Sequence, residues 1–213
     1  MLDHRRTGTI RNLLQTREGF YVMKKMLLCF AHPVDDSFAA GGTVAKYVQA
    51  GWQTDLVCAT DLGHSIGKLS SLTPGTLEDP MYKAMESGIP NVVITFDPKG
   101  ISNHPDHSKV SFAATYAFQK YALWLDKLRK KYRVYGTHDE QWLKRLESFL
   151  MEKIEPKLYY VCVPSSIVRY DINRKVLPVE NFGKPLLGVD DKLITTVIDI
   201  RSVSSIKLKA IKA

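Results

Sequence analysis

Two short stretches of this 213-residue chain gather the residue types that bind metals and move protons. The first is Ala31-His32-Pro33-Val34-Asp35-Asp36-Ser37-Phe38, a histidine followed within four residues by two carboxylates. The second is Gly100-Ile101-Ser102-Asn103-His104-Pro105-Asp106-His107, two histidines around a third carboxylate. Each follows an apolar run with strand character. Imidazole nitrogens and carboxylate oxygens suit zinc, which binds His at about 2.0–2.1 Å and carboxylate at about 2.0–2.2 Å. The local alternatives are plain. A histidine beside a proline is a common turn residue, and Asp36 or Ser37 serves equally as an N-cap for the next helix. Two such clusters, each at the end of a strand, weigh toward one shared site.

The elements that must position these loops follow from periodicity. Residues 26–31 read as a buried strand. Ala40, Val44, Tyr47 and Val48 recur at helical spacing, and Gly51 ends that helix. Residues 54–60 form a second strand, followed by a polar loop over 61–76 and a short helix over 77–87. Residues 91–96 are a third strand, 98–105 a loop, and 106–124 a helix. Residues 139–154 form an amphipathic helix with Trp142, Leu146, Phe149 and Leu150 on one face and Asp139 near its start. Residues 158–163 are a fourth strand and 167–188 an excursion of short strands and turns. Residues 193–200 read as a late strand, and Ser202 caps a last helix. This alternation implies an α/β, Rossmann-like fold with a mostly parallel sheet and helices on both faces. In such sheets ligands bind at the carboxyl ends of the strands, which is where both clusters fall.

Composition narrows the function. Hydrophobic residues make up 45% of the chain, enough for one full core. No apolar run approaches the roughly 20 residues needed to span a bilayer. Residues 1–22 contain Arg5, Arg6, Arg11 and Arg17 without an apolar segment, so they read as a loosely attached N-terminal extension. Met23 is a candidate natural start, which makes 23–213 the domain. The net charge of +8 is spread over helical faces rather than forming an aromatic-interleaved stripe, which argues against a nucleic-acid partner. Cys29, Cys58 and Cys162 lie in separate apolar runs, as reduced thiols of a cytoplasmic protein do. Oligomeric state has no signature here.

The segment Ala31–Thr43 (AHPVDDSFAAGGT) resembles the signature of the PIG-L/LmbE family of zinc-dependent N-acetylglucosamine deacetylases, usually AHPDDE followed by a small-residue helix start. Asn103-His104-Pro105-Asp106-His107 resembles the family's HPDH motif. The resemblance runs from Met26 to about Lys209. It implies a metal site of His32, Asp35 and His107 holding Zn2+ or another divalent ion, with a position left open for catalysis. It implies that His104 stabilises the oxyanion and that Asp106 orients the His104 ring and favours its protonated form. The implied substrate is a small-molecule amino-sugar conjugate.

The departures from the family pattern are as informative. The family's base, the first Asp of AHPDDE, is Val34 here, which accepts no proton. Realigning so that Asp35 is the base and Asp36 the ligand changes the spacing from His32 from three to four and needs an inserted residue, so the ungapped reading is preferred. Asp36 then replaces the usual Glu. The family's longer, sugar-gripping segment after strand two is shortened here, and the chain stops just inside its final helix. Asp97, at the end of strand three, is a candidate substitute base. His64 is a candidate substrate contact, while His4 and His138 lack partners in sequence. Gly41-Gly42 is not a dinucleotide fingerprint and fits close packing of the helix on the sheet. The expected function is a metal-dependent deacetylase impaired at its base. The alternatives are a metal- and carbohydrate-binding pseudoenzyme, and a basic binding domain with incidental histidines.

Overall fold

The longest apolar runs become the centre of the molecule. In this computed structural model, which describes residues 23–60, 67–131 and 138–212, β1 (Lys25–Phe30) and β3 (Val92–Phe96) lie side by side and are buried beyond their first residues. β2 (Gln53–Cys58) flanks β1, and β4 (Lys157–Val161) flanks β3. The order is β2-β1-β3-β4 and every pairing is parallel. The outer strands are only partly buried.

Parallel neighbours need long crossovers, and helices supply them. α1 (Gly41–Gln49), entered through a π-helical turn at Asp36–Ala40, joins β1 to β2. α2 (Glu78–Gly88) joins β2 to β3. The single turn α3 (Gly100–Asn103), the long α4 (Pro105–Lys131) and α5 (Glu140–Met151) separate β3 from β4. Beyond β4 come α6 (Ser165–Asn173), a small hairpin of β5 (Glu180–Asn181) and β6 (Lys184–Pro185), and α7 (Ser204–Lys212). α1 packs with α7, while α2, α4 and α5 form the other layer. The α/β, Rossmann-like architecture is therefore as the alternation predicts.

Three local expectations need correction. Residues 193–200 are not a strand: after a 3-10 turn at Asp191–Leu193 they run without regular structure. Their β-branched composition favours extension, but a strand also needs a neighbour. The segment is instead anchored to α1, with Ile200 seated so closely on Gly42 that a Cβ there would lie 2.5 Å from the Ile200 Cδ1. Gly42 thus serves close packing, against this segment. Second, 167–188 opens with most of α6, which begins at Ser165, before its turns and short strands. Third, neither Asp36 nor Ser37 caps α1; both lie inside the π-helical turn, and no side chain caps it.

The α5 layer is tied to the sheet by one cation. Trp142, Leu146, Phe149 and Leu150 face the core as their spacing predicts. On the same helix the buried Arg145 donates from Nε to the carbonyls of Gly88 (3.0 Å) and Ile89 (2.8 Å). Its Nη1 reaches the Met23 carbonyl (2.6 Å) and its Nη2 the Asn91 Oδ1 (2.9 Å). Asn91 Oδ1 also accepts from Lys25 N–H (2.8 Å), so the arginine locks the entries of both central strands. Unmade buried hydrogen bonds cost about 1–3 kcal/mol each. Arg145→Ala is expected to lower stability by about 3 kcal/mol or more, read from the midpoint of urea unfolding with an unchanged slope.

Candidate metal centre

The strand order reverses between β1 and β3, with β1 leading outward to β2 and β3 outward to β4. Loops after such neighbouring strands diverge and leave a crevice at the carboxyl ends. His32 and Asp35 come from the segment after β1; beyond β3, His104 joins α3 to α4 and His107 lies in the first turn of α4. The tertiary structure brings the two clusters together.

His32, Asp35 and His107 are the group of described residues that could hold a metal ion, their donor atoms lying within 4.8 Å of one another. His32 Nδ1 is 3.3 Å from Asp35 Oδ2, and His107 Nε2 is 3.4 Å from Asp35 Oδ1. Donors around a tetrahedral zinc with bonds of about 2.0–2.1 Å stand roughly 3.3–3.4 Å apart, and each imidazole stands at that spacing from a different oxygen of the Asp35 carboxylate. The two-nitrogen, one-oxygen set also suits zinc chemically.

Each ligand has a local reason for its place. A turn from the His32 carbonyl to Asp35 N–H (3.1 Å) folds the HPVD segment back, and Asp35 Oδ2 accepts from His32 N–H (2.7 Å). On the other loop Asp97, buried at the end of β3, accepts from Lys99 N–H (2.8 Å) and Ile101 N–H (2.9 Å). Its carboxylate is an Asx-type turn organiser. Gly100 follows at φ +67°, where a Cβ would lie 2.8 Å from the His107 Cβ and from the Ser108 nitrogen. Only glycine lets the loop pass this close to α4. The Gly100 carbonyl faces His107 Nδ1 at 3.2 Å. If that nitrogen carries the proton, Nε2 is free for a metal.

His104 begins α4. Its carbonyl accepts from Ser108 N–H (3.0 Å), and its Nδ1 accepts from Asp106 N–H (3.1 Å). The neutral ring therefore carries its proton on Nε2. Burial lowers the His104 pKa below the usual histidine value and nearby His107 adds to this, while Asp106 opposes it. Protonation of this ring is thus disfavoured, contrary to what the resemblance implies.

The Asp106 carboxylate also departs from that expectation. It does not bond the His104 ring. Oδ2 accepts from Gly67 N–H (2.7 Å) and lies 3.4 Å from His32 Nε2, and Oδ1 accepts from Ser70 N–H (3.0 Å). This is a carboxylate–histidine arrangement on His32, whose other nitrogen faces Asp35. The partners lie 36 to 74 residues away in sequence. For Asp35 itself burial acts to raise the carboxyl pKa, but the His107 hydrogen bond and charge, with the His32 N–H, outweigh it and hold the group below the usual range.

Several neighbours carry no motif. Phe96 stacks on His107 (centroids 4.1 Å, planes 3° apart), His107 on His104 (4.4 Å, 18°), and Phe182 meets the His104 edge (4.7 Å, 65°). Phe182 and Gly183, both at positive φ, form the tip of the β5–β6 hairpin. The hairpin is clasped to the β3 loop by two amides. Asn181 Nδ2 donates to the Ser102 carbonyl (2.9 Å), and Asn103 Nδ2 donates to the carbonyls of Lys184 and Pro185 (3.2 and 3.1 Å). The one available signal in sequence was the turn-forming Phe182-Gly183 between short extended runs. Val34 is 60% exposed. His138 stacks on Trp142 (3.7 Å) and is not in the ligand group. His4 and His64 lie outside the described residues.

No protein-family model matches the chain. It is similar to the 1D-myo-inositol 2-acetamido-2-deoxy-alpha-D-glucopyranoside deacetylase of Rhodococcus erythropolis, at 24% identity over 254 residues, covering 89% of this chain and 80% of the relative. The protein of the same name from Rhodococcus jostii gives the same identity and coverage. A further relative, 1D-myo-inositol 2-acetamido-2-deoxy-alpha-D-glucopyranoside deacetylase 2 of Saccharopolyspora erythraea, is 24% identical over 247 residues, with 87% and 81% coverage. These aligned stretches exceed the 213 residues of this chain, so the relatives carry insertions that it lacks. Among solved structures, the conserved protein TT1542 from Thermus thermophilus superposes with a TM-score of 0.40 at 16% identity, covering 83% of this chain and 98% of that one.

The geometry generates a direct expectation. The protein should take up about one zinc per chain, and His107→Ala or Asp35→Ala should abolish uptake. Asp106→Asn and Gly100→Ala should each weaken it by about 10–100-fold, the range for lost support of a ligand. Competition against a chromophoric chelator measures this; unchanged affinity in Asp106→Asn would remove its supporting role.

Proposed function

We propose that the chain is a divalent-metal hydrolase of the PIG-L/LmbE type, with zinc as the fitting ion. It removes the acetyl group from a small N-acetylglucosamine-type conjugate, slowly. The observation that carries this reading is the His32–Asp35–His107 donor set at the strand ends, whose ligand atoms lie within 4.8 Å of one another. The similarity to three proteins named as deacetylases of a 2-acetamido-2-deoxyglucoside supports the reaction class.

A divalent ion bound there supplies Lewis acidity, polarising the amide carbonyl and lowering the pKa of water toward about 7 in the best cases. The remaining tasks fall to the chain. His104, with its proton on Nε2, donates to the carbonyl oxygen as negative charge grows on it. Asp106 acts through His32, as a positioning residue, and Asp97 acts through the turn that presents His104 and His107.

Proton removal from the attacking water is the weak step. Val34 stands where a carboxylate is needed, and a placed general base is typically worth about 10²–10⁴-fold. Asp97 does not replace it, because both its oxygens accept backbone N–H groups and it is buried. The same valine favours a second reading, a pseudoenzyme that binds metal and carbohydrate without turnover. A cytoplasmic location belongs to this proposal, supported by three cysteines that form no disulfide. No described helix is long and apolar enough to cross a membrane.

Val34→Asp is expected to raise deacetylation of N-acetylglucosaminyl-inositol by at least about tenfold with zinc content unchanged. Measurable turnover in the parent chain favours the slow enzyme; turnover in the variant alone favours the pseudoenzyme; none in either, with zinc bound, counts against both the alignment and the reaction.

A further inference from the structure

A cavity of about 510 Å³ opens beside the metal ligands, with Asp35 and His107 in its lining. Its volume lies within the roughly 300–1,000 Å³ of small-molecule sites. That is far more than the methyl of an acetyl group fills. Phe38 and Ala39 from the first helical segment, Ile101 from α3, Val161 at the end of β4, and Val163 and Pro164 just after it make its walls largely apolar. Phe38 is 57% exposed, and Val34, one turn earlier, is 60% exposed. Exposed apolar side chains gathered at the rim of a site mark the chemistry of what binds there.

The lining holds one cation. Lys207 of α7 is half-buried, with its stem over Gly41, whose Cβ would stand 3.8 Å from the Lys207 Cγ. Among the described residues it has no hydrogen bond or ion pair. Asp35, the carboxylate in the same cavity, is committed to His32 and His107. A single unpaired ammonium in an apolar hollow matches a single negative charge, as on a carboxylate.

We propose that this cavity binds an apolar chain or ring ending in a carboxylate, with the carboxylate on Lys207 and the apolar body between Phe38, Ile101 and Val161. Resting on the proposed function, the preferred substrate is then an N-acetylglucosamine-type conjugate that also carries a group of this form, with wholly polar conjugates as poorer substrates. Each buried methylene is worth roughly fourfold in affinity, so chain length is the sensitive variable.

The test has a metal-free and a metal-loaded arm, both on the full chain. In the first, 4-phenylbutyrate is titrated into metal-free protein and methyl NMR shifts are followed. Saturable shifts are expected at Ile101, Val161 and Val163, with binding at least about fivefold weaker in Lys207→Met and in Phe38→Lys. 4-Phenylbutanol should bind the parent at least about fivefold more weakly, and bind Lys207→Met as it binds the parent. Shifts at other methyls, or no saturable binding, would overturn the proposal; equal affinity for acid and alcohol would overturn its anionic half. In the second arm, zinc-loaded protein is titrated calorimetrically with acetohydroxamate and with suberic monohydroxamate. The longer, carboxylate-ended ligand should bind at least about thirtyfold more tightly. Failure of both hydroxamates while 4-phenylbutyrate still binds at the named methyls would count against the metal reading and support the cavity; equal affinities of the two hydroxamates would count against the cavity.

Discussion

The parallel pairing of β1 with β3, Met26 against Val92 through Leu28 against Ile94, holds two chemically distinct loops at a fixed separation. Neither loop carries a three-residue metal group by itself. β1 delivers a histidine and a carboxylate, and β3 delivers the second histidine. The pair sits where strand order reverses, so the following helices leave in opposite directions and the space between is not filled by a crossover. Burial of both strands holds the register, because a one-residue slip would exchange which side chains face each helical layer.

Within that frame, backbone hydrogen bonds do the finer positioning. Asp97 turns the chain, Gly100 allows close approach to α4, and the Gly100 carbonyl meets His107. The first amides of α4 hold His104 in one tautomer, and Asp106 ties His32 to the Gly67 and Ser70 amides. Groups fixed in this way need little reorganisation when charge arrives, which is the main requirement of an electrostatic site. The stacked rings of Phe96, His107 and His104 add rotational restraint, and the clasped hairpin places Phe182 against the last of them.

The site has two characters. The side that holds His32, Asp35 and His107 is mostly buried, polar and closely connected. Its outer side, with Val34, Phe38 and the adjoining cavity, is apolar, and it is completed by Lys207 from the end of the chain. The elements that supply that side depend on long-range seating. α7 reaches α1, and Ile200 fits the hollow left by Gly42. Val34, exposed between His32 and Asp35, belongs with Phe38 to the same apolar rim.

Much of this was legible in the sequence because it is local. Hydrophobic runs and helical spacing located β1 to β4, α1, α2, α4 and α5, and alternation alone implied the parallel sheet. The His32–Asp35 spacing and the HPDH segment pointed to His32, Asp35 and His107, which the structure brings together as a group that could hold a metal ion. Tertiary structure decided what depended on distant partners. Residues 193–200 have strand composition but pair with no strand among the described residues, so they lie irregular against α1. Asp106 adjoins His104 in sequence but commits its oxygens to Gly67, Ser70 and His32. Asp97 reads as a spare base until its two backbone donors are seen. Residue type states what a side chain can accept or donate; which partner it meets is set by the packing of segments tens of residues apart.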